Sequence, residues 1–131
     1  MLRETTISLR QELFAEVVLI IETEYGDQLA LDEIAHRVAS SRRQLQRAFA
    51  EVGNTTFREY LTAFRMDRAA MLLTDNTLTV REVAARVGYR QPAQFATAFR
   101  RRHGAVPSEY RERLVIGAVG HPAVGAVQQA A

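Results

Sequence analysis

The sequence predicts an all-α chain of about seven helices, arranged as two helix-turn-helix subdomains joined by a long linker helix. Three observations lead there. Apolar residues recur at spacings of three and four along most of the chain, and no stretch alternates for long enough to make a strand. Gly, Pro, Ser and Thr punctuate these periodic runs where helices start and stop. One supersecondary pattern then occurs twice, about fifty residues apart.

The first helix is expected from about Ser8 to Tyr25, with Leu13, Phe14, Val17, Ile20 and Ile21 on a broad apolar face and Gly26 as its stop. A short second helix, Leu31 to about Val38, opens with Asp32 and Glu33, whose charges suit a helix N-terminus. A third runs from Ser41 to Val52, capped by Ser40 or Ser41, anchored by Leu45 and Phe49, and stopped at Gly53. The fourth, about Thr56 to Thr74, repeats Phe57, Tyr60, Leu61, Phe64, Ala69 and Leu72 at helical spacing and would be about 28 Å long at ~1.5 Å per residue. Met66 and Met71 are expected in the core with Tyr60 and Phe64. A fifth helix, Val80 to Val87, follows Thr79 as N-cap; a sixth begins at Pro92 and ends at Gly104. A short final helix follows Pro107-Ser108. The expected divisions are a first subdomain over 1–54, the linker helix over 55–75, a second subdomain over 76–114, and a flexible, uncharged tail over 115–131.

Residues 31–53 and 80–104 make the repeat. Ile34, Ala35, Val38 and Ala39 correspond to Val83, Ala84, Val87 and Gly88 at an offset of 49; Leu45 and Phe49 correspond to Phe95 and Phe99 at 50. Each copy is a short helix with a small mid-helix alanine, a tight turn, and a second helix with large apolar residues four apart. The alanine lets two helices cross closely, leaving one face of the second helix free to enter a major groove.

Composition narrows the chemistry. With 131 residues, 47% apolar and 24% charged, the chain has the balance of a globular protein of one domain or two very small ones. It has no cysteine, which excludes disulfides, thiolate nucleophiles and cysteine-ligated zinc and suits a reducing cytoplasm. The longest strongly apolar run, Val17 to Ile21, is too short to span a bilayer, and the start lacks the order of a signal peptide. The net charge of +2 conceals a division. Residues 1–35 hold two arginines against eight acids, whereas residues 36–113 hold fifteen arginines against seven, a local +8. Such a concentration of positive charge is the electrostatic footprint of a nucleic-acid binder.

The run LDEIAHRV, RQLQRAF, FREYLTAFRMDRAAMLL, TVREVAARVGY, FATAF and RRRHGAVPSEYR, spread over about residues 8–113, resembles the DNA-binding domain of the AraC/XylS family of transcription regulators. Its most specific part is Val80, Ala84, Gly88, Tyr89, Phe95, Phe99, Gly104, Pro107, Tyr110 and Arg111. The resemblance implies two helix-turn-helix subdomains on a rigid linker, activating or repressing transcription from asymmetric sites. Double-stranded DNA is the partner expected, with RNA polymerase a second candidate. No cofactor, metal or membrane is expected, and the chain as given is expected to be monomeric.

The candidate DNA-binding residues follow from helix faces. Leu45 and Phe49 point inward, so Arg42, Arg43, Gln46 and Arg47 are expected outward; Arg43, Gln46 and Arg47 are candidates for base edges and Arg42 for phosphate. In the second unit Gln91, Ala93, Gln94 and Thr97 take the outward face, with Thr97 where similar family members carry arginine. Direct readout is expected to be weaker there, with Arg90 and the Arg100, Arg101, Arg102 run neutralising phosphates. Recognition helices about one DNA turn apart, near 34 Å, would enter successive major grooves. The histidines have structural readings: His36 on a helix surface, His103 at a helix C-terminus, His121 in the tail.

Two rival readings compete with this one. Similar domains occur fused to DNA-repair alkyltransferases, but that chemistry needs a reactive cysteine, so no enzyme is expected. The second rival is a protein-interaction module docking through the apolar, acidic first helix. The sequence fits either a stand-alone regulator or the C-terminal part of one with a separate effector-binding domain.

Overall fold

The computed structural model describes residues 2–120, with side chains described from 5 to 116. Among the described residues there are seven helices and no strand: α1 (Leu2–Glu24), α2 (Leu31–Arg37), α3 (Arg42–Gly53), α4 (Phe57–Leu72), α5 (Val80–Arg86), α6 (Pro92–His103) and α7 (Pro107–Gly120). They form two compact units, Met1–Arg65 and Met66–Ala131. The division falls within α4, so the helix expected as a linker over 55–75 contributes residues to each unit.

In the first unit α1 packs chiefly on α3. The core holds Val17 and Ile21 of α1, Ile34 and Ala35 of α2, Leu45 and Phe49 of α3, and Phe57 and Leu61 of α4. Phe49 is its centre, meeting Phe14, Phe57 and Tyr60 edge-on at centroid distances of 4.9, 5.8 and 5.9 Å. In the second unit Met66, Ala69, Leu73, Leu78, Val83, Ala84, Val87, Phe95, Phe99 and Ala105 are buried. Phe99 occupies the place of Phe49 and meets Tyr110 edge-on at 5.2 Å.

The repeat therefore extends past the two helix pairs. Phe49–Tyr60 and Phe99–Tyr110 are the same contact displaced by fifty residues. Each unit also pins the loop ahead of its helix-turn-helix with one arginine. Arg65 donates from Nε to the Tyr25 carbonyl (2.7 Å) and from Nη2 to that of Asp27 (2.8 Å). Arg111 donates to the carbonyls of Leu73 (3.1 Å) and Asp75 (3.2 Å) in the same manner. All four carbonyls lie one to three residues beyond the ends of α1 and α4, so each arginine holds the chain where a helix gives way to a loop.

Both turns close alike. Ser40 N–H bonds the Ala35 carbonyl and Ala39 N–H that of His36; Tyr89 bonds Ala84 and Gly88 bonds Ala85. This Schellman arrangement needs a left-handed residue after the C-cap. Gly88 supplies it at φ 92°, whereas the first unit places Ala39 there at φ 52°.

Some expectations are corrected. Helix α1 begins at Leu2 rather than near Ser8, because no Gly or Pro interrupts residues 2–7 and Ser8 continues the helix. Met71 is not core: it is 61% exposed, while Met66 is fully buried. Five residues separate them, about 140° around a helix, so they cannot share a face. Gly53 does not stop α3 by taking the left-handed conformation; Asn54 does, at φ 51°. An ideal Cβ on Gly53 would lie 2.7 and 2.9 Å from the Phe14 ring, so the glycine makes room for that ring. Helix α7 continues to Gly120 and takes in residues 115–120 of the expected tail; 121–131, with His121, lie outside the described residues.

Candidate nucleic-acid interface

Helix α3 is set by its two ends and its inner face. Ser41 caps the start, its hydroxyl accepting from Gln44 N–H at 3.2 Å. Leu45, Ala48 and Phe49 are fully buried, which fixes the rotation of the helix about its axis. With that face turned inward, Arg42, Arg43, Gln46 and Arg47 are all exposed, as the 3.6-residue period requires. Arg42 Nη1 lies 3.3 and 3.4 Å from the Asp32 carboxylate oxygens. Among the described residues Arg43 and Arg47 make no hydrogen bond or ion pair.

Helix α6 starts with Pro92 at its first turn and Gln91 as an N-cap whose side chain makes no capping bond. Phe95 and Phe99 are buried. Gln91, Ala93, Gln94 and Thr97 are exposed, with Arg90 at the turn before them. Thr97 Oγ1 donates to the Ala93 carbonyl at 3.0 Å, which commits its proton to its own helix and leaves the oxygen as an acceptor. Thr97, Arg100 and Arg101 line one shallow groove of about 340 Å³ with Ala96 and Val106. The neutral face of α6 thus adjoins two arginines.

Arg102 separates from its neighbours. Its Nε and Nη2 clasp both carboxylate oxygens of Asp67 at 3.0 and 2.8 Å. These bonds lower the Asp67 pKa and raise that of Arg102. His103 Nε2 lies 3.2 Å from the Met66 carbonyl and 3.3 Å from Asp67, and its ring packs 4.6 Å from that of Phe99. The triple-arginine run is therefore two exposed cations without an ion-pair partner among the described residues and one arm tying α6 to α4.

Other arginines are similarly occupied: Arg37 forms a two-pronged pair with Glu24 at 2.7 and 2.8 Å, and Arg10 pairs with Glu51. Arg58, Arg81 and Arg86 are exposed, and among the described residues none has a hydrogen-bond or ion-pair partner. Arg86 does stand close enough to Asp75 and Glu82 to favour their charged forms. None of the three lies on a recognition-helix face, and at the repeat offset of 49 Arg81 stands where the first unit has Asp32.

A family model described as a helix-turn-helix domain matches residues 34–113. The fold is similar to that of the C-terminal domain of AraT, a response regulator from Geobacillus stearothermophilus (30% identity, TM-score 0.74, 77% of this chain and 84% of that chain). It is also similar to a transcriptional regulator of the AraC-type DNA-binding class from Chromobacterium violaceum (27%, 0.74, 86% and 96%). A third similar structure is the DNA-binding domain of the global transcriptional factor AdpA in complex with a target DNA (29%, 0.71, 84% and 96%). Among curated proteins no sequence matches this chain.

Proposed function

The chain belongs to the AraC-type helix-turn-helix family of DNA-binding transcription regulators, and from that membership we propose sequence-specific binding of double-stranded DNA, with α3 and α6 in successive major grooves. The carrying observation is α3: its inner face is locked by Leu45, Ala48 and Phe49, and its outer face offers Arg43, Gln46 and Arg47. Arginine pairs bidentately with guanine and glutamine with adenine. The AdpA domain bound to its target DNA supports duplex DNA as the partner.

The two units have different tasks in this reading. The first is the reader, through Arg43, Gln46 and Arg47; Arg42, the phosphate candidate, is paired with Asp32. The second is a clamp on the backbone, through Arg90, Arg100 and Arg101. Gln91, Gln94 and Thr97 supply weaker base contacts, and Arg102 positions α6 through Asp67. The chain acts in the cytoplasm as a monomer, without catalysis, and RNA polymerase is a second partner. Functionally the divisions remain 1–54, 55–75 and 76–114.

Docking of a protein through α1 has less support. Val17 and Ile21 of its apolar face are buried in the first core. Ile7, Leu9 and Leu19 are exposed, but their spacing spreads them around the helix rather than along one stripe.

Selection of bound sequences from a random duplex pool tests the proposal. One preferred sequence should emerge, protected in two patches about 10 base pairs apart. Arg43→Ala and Arg47→Ala should each lower affinity for it by roughly 10-fold while random duplex binds nearly as before. Arg101→Ala should weaken both duplexes equally. Failure to retard any duplex at low salt overturns the proposal, and equal effects from all three variants overturn the division of tasks.

A further inference from the structure

The second residue of the first helix differs in charge between the two helix-turn-helix units. It is Asp32 in α2 and Arg81 in α5, equivalent at the repeat offset of 49. The first unit shows what this position faces: Asp32 reaches Arg42 Nη1, at the start of the recognition helix, at 3.3 Å. Both side chains are well exposed, at 60% for Arg42 and 73% for Asp32, so the pair lies at the surface. In the second unit the residue equivalent to Arg42 is Pro92, which carries no charge. Arg81 is exposed, and among the described residues no acid pairs with it.

We propose that this position sets how firmly each unit grips the DNA backbone: Arg81 contacts a phosphate beside α6, whereas Asp32 repels the backbone beside α3 and holds Arg42 away from it. The inference rests on the DNA-binding reading above. Its basis is electrostatic. The first helix of a helix-turn-helix crosses the backbone while the second enters the groove, so a charge where the two helices meet lies next to phosphates. An arginine there releases a condensed counterion on binding, and a carboxylate opposes that binding. The unit with arginines on its reading face carries the acid; the unit whose reading face is neutral carries the extra cation. A reader gains from weak backbone attraction, because sequence-independent attraction holds it equally well to wrong sites.

Binding of the full chain to a labelled random duplex, measured by fluorescence anisotropy across a salt series, tests this. Arg81→Ala should lower affinity several-fold and reduce the slope of log affinity against log salt by about 1, as loss of one phosphate contact does. Arg81→Lys should keep the slope, because a point charge suffices for a phosphate. Asp32→Asn should raise affinity several-fold and steepen the slope by about 1, since it frees Arg42 and removes the repulsion. Both positions are exposed, and an unchanged helical circular dichroism spectrum verifies folding of each variant. Unchanged slopes in Arg81→Ala and Asp32→Asn overturn the inference while leaving DNA binding intact. Loss of slope in Arg81→Lys as well as Arg81→Ala overturns it too, because charge is then not what matters. No binding of any duplex by the unmutated chain overturns the functional reading itself.

Discussion

At the residue scale, the chain's arginines divide according to what stands next to them. Arg10, Arg37 and Arg102 meet carboxylates, and Arg65 and Arg111 donate to backbone carbonyls. Arg43, Arg47, Arg100 and Arg101 make no hydrogen bond or ion pair among the described residues. All look alike in the sequence, because pairing depends on residues distant in the chain: Arg102 and Asp67 are thirty-five positions apart. The count of arginines thus located a nucleic-acid binder, while only the folded contacts distinguish Arg102 from its neighbours. Ala39 makes a separate point about backbone conformation. At φ 52° it occupies the left-handed region that its repeat partner Gly88 enters with no Cβ to clash. A Cβ there costs about 1–2 kcal/mol, partly offset by the lower chain entropy of an unfolded alanine. Ala39→Gly should therefore stabilise the protein by about 1 kcal/mol in urea unfolding, and Gly88→Ala should destabilise it by about as much. A destabilised Ala39→Gly would show that the turn carries no such strain.

At the element scale, helix identities and most boundaries follow from local chemistry. Thr79 and Glu82 form a reciprocal capping box at α5, and Thr56 with Glu59 does the same at α4. Pro92 sits in the first turn of α6 and the left-handed Gly104 follows its end, as the sequence had them. The misjudged ends have physical causes. No Gly or Pro breaks residues 2–7, so α1 runs through Ser8 instead of starting near it. The uncharged, Gly-, Ala- and Val-rich residues after Leu114 read as a tail, yet α7 runs on to Gly120. Gly53 is the instructive case, for the same glycine suits either a stop or a close approach. The Phe14 ring decides between them, being held by Phe49 at 4.9 Å and Tyr60 at 6.0 Å so that it cannot easily retreat. Gly53→Ala should destabilise the first unit by about 1–3 kcal/mol through overpacking, measured by denaturant unfolding. The double variant with Phe14→Leu should lose less than the sum of the two single changes. Additive losses would count against the steric account.

At the scale of the whole molecule, several carboxylates are held in their charged form by hydrogen bonds. Hydrogen bonds from Arg37 hold Glu24 below its ordinary value of 4.5, and those from Arg102 hold Asp67 below 3.8. Bonds from Thr77 do the same for Asp75 and the Thr79 backbone for Glu82. A carboxylate whose folded pKa is depressed contributes stability that is complete above its unfolded pKa and is lost as pH falls through the folded one. Three of these four groups lie in the second unit. On acidification below about pH 4.5, amide resonances of α5 and α6 should lose their native positions before those of α1 and α3. The stability deficit of Asp67→Asn at pH 7 should shrink over the same range; a constant deficit would mean that Asp67 acts through shape, not charge. The sequence by itself determined the class of this protein. Helical period, caps, a fifty-residue repeat and a basic segment are all local or additive properties of the chain, and together they led to two helix-turn-helix units and DNA. Tertiary structure alone decided which arginines among the described residues are left for a partner, why Gly53 is a glycine, and that an arginine pins the loop ahead of each helix-turn-helix. Those outcomes depend on contacts between residues far apart in the chain, which no local pattern encodes.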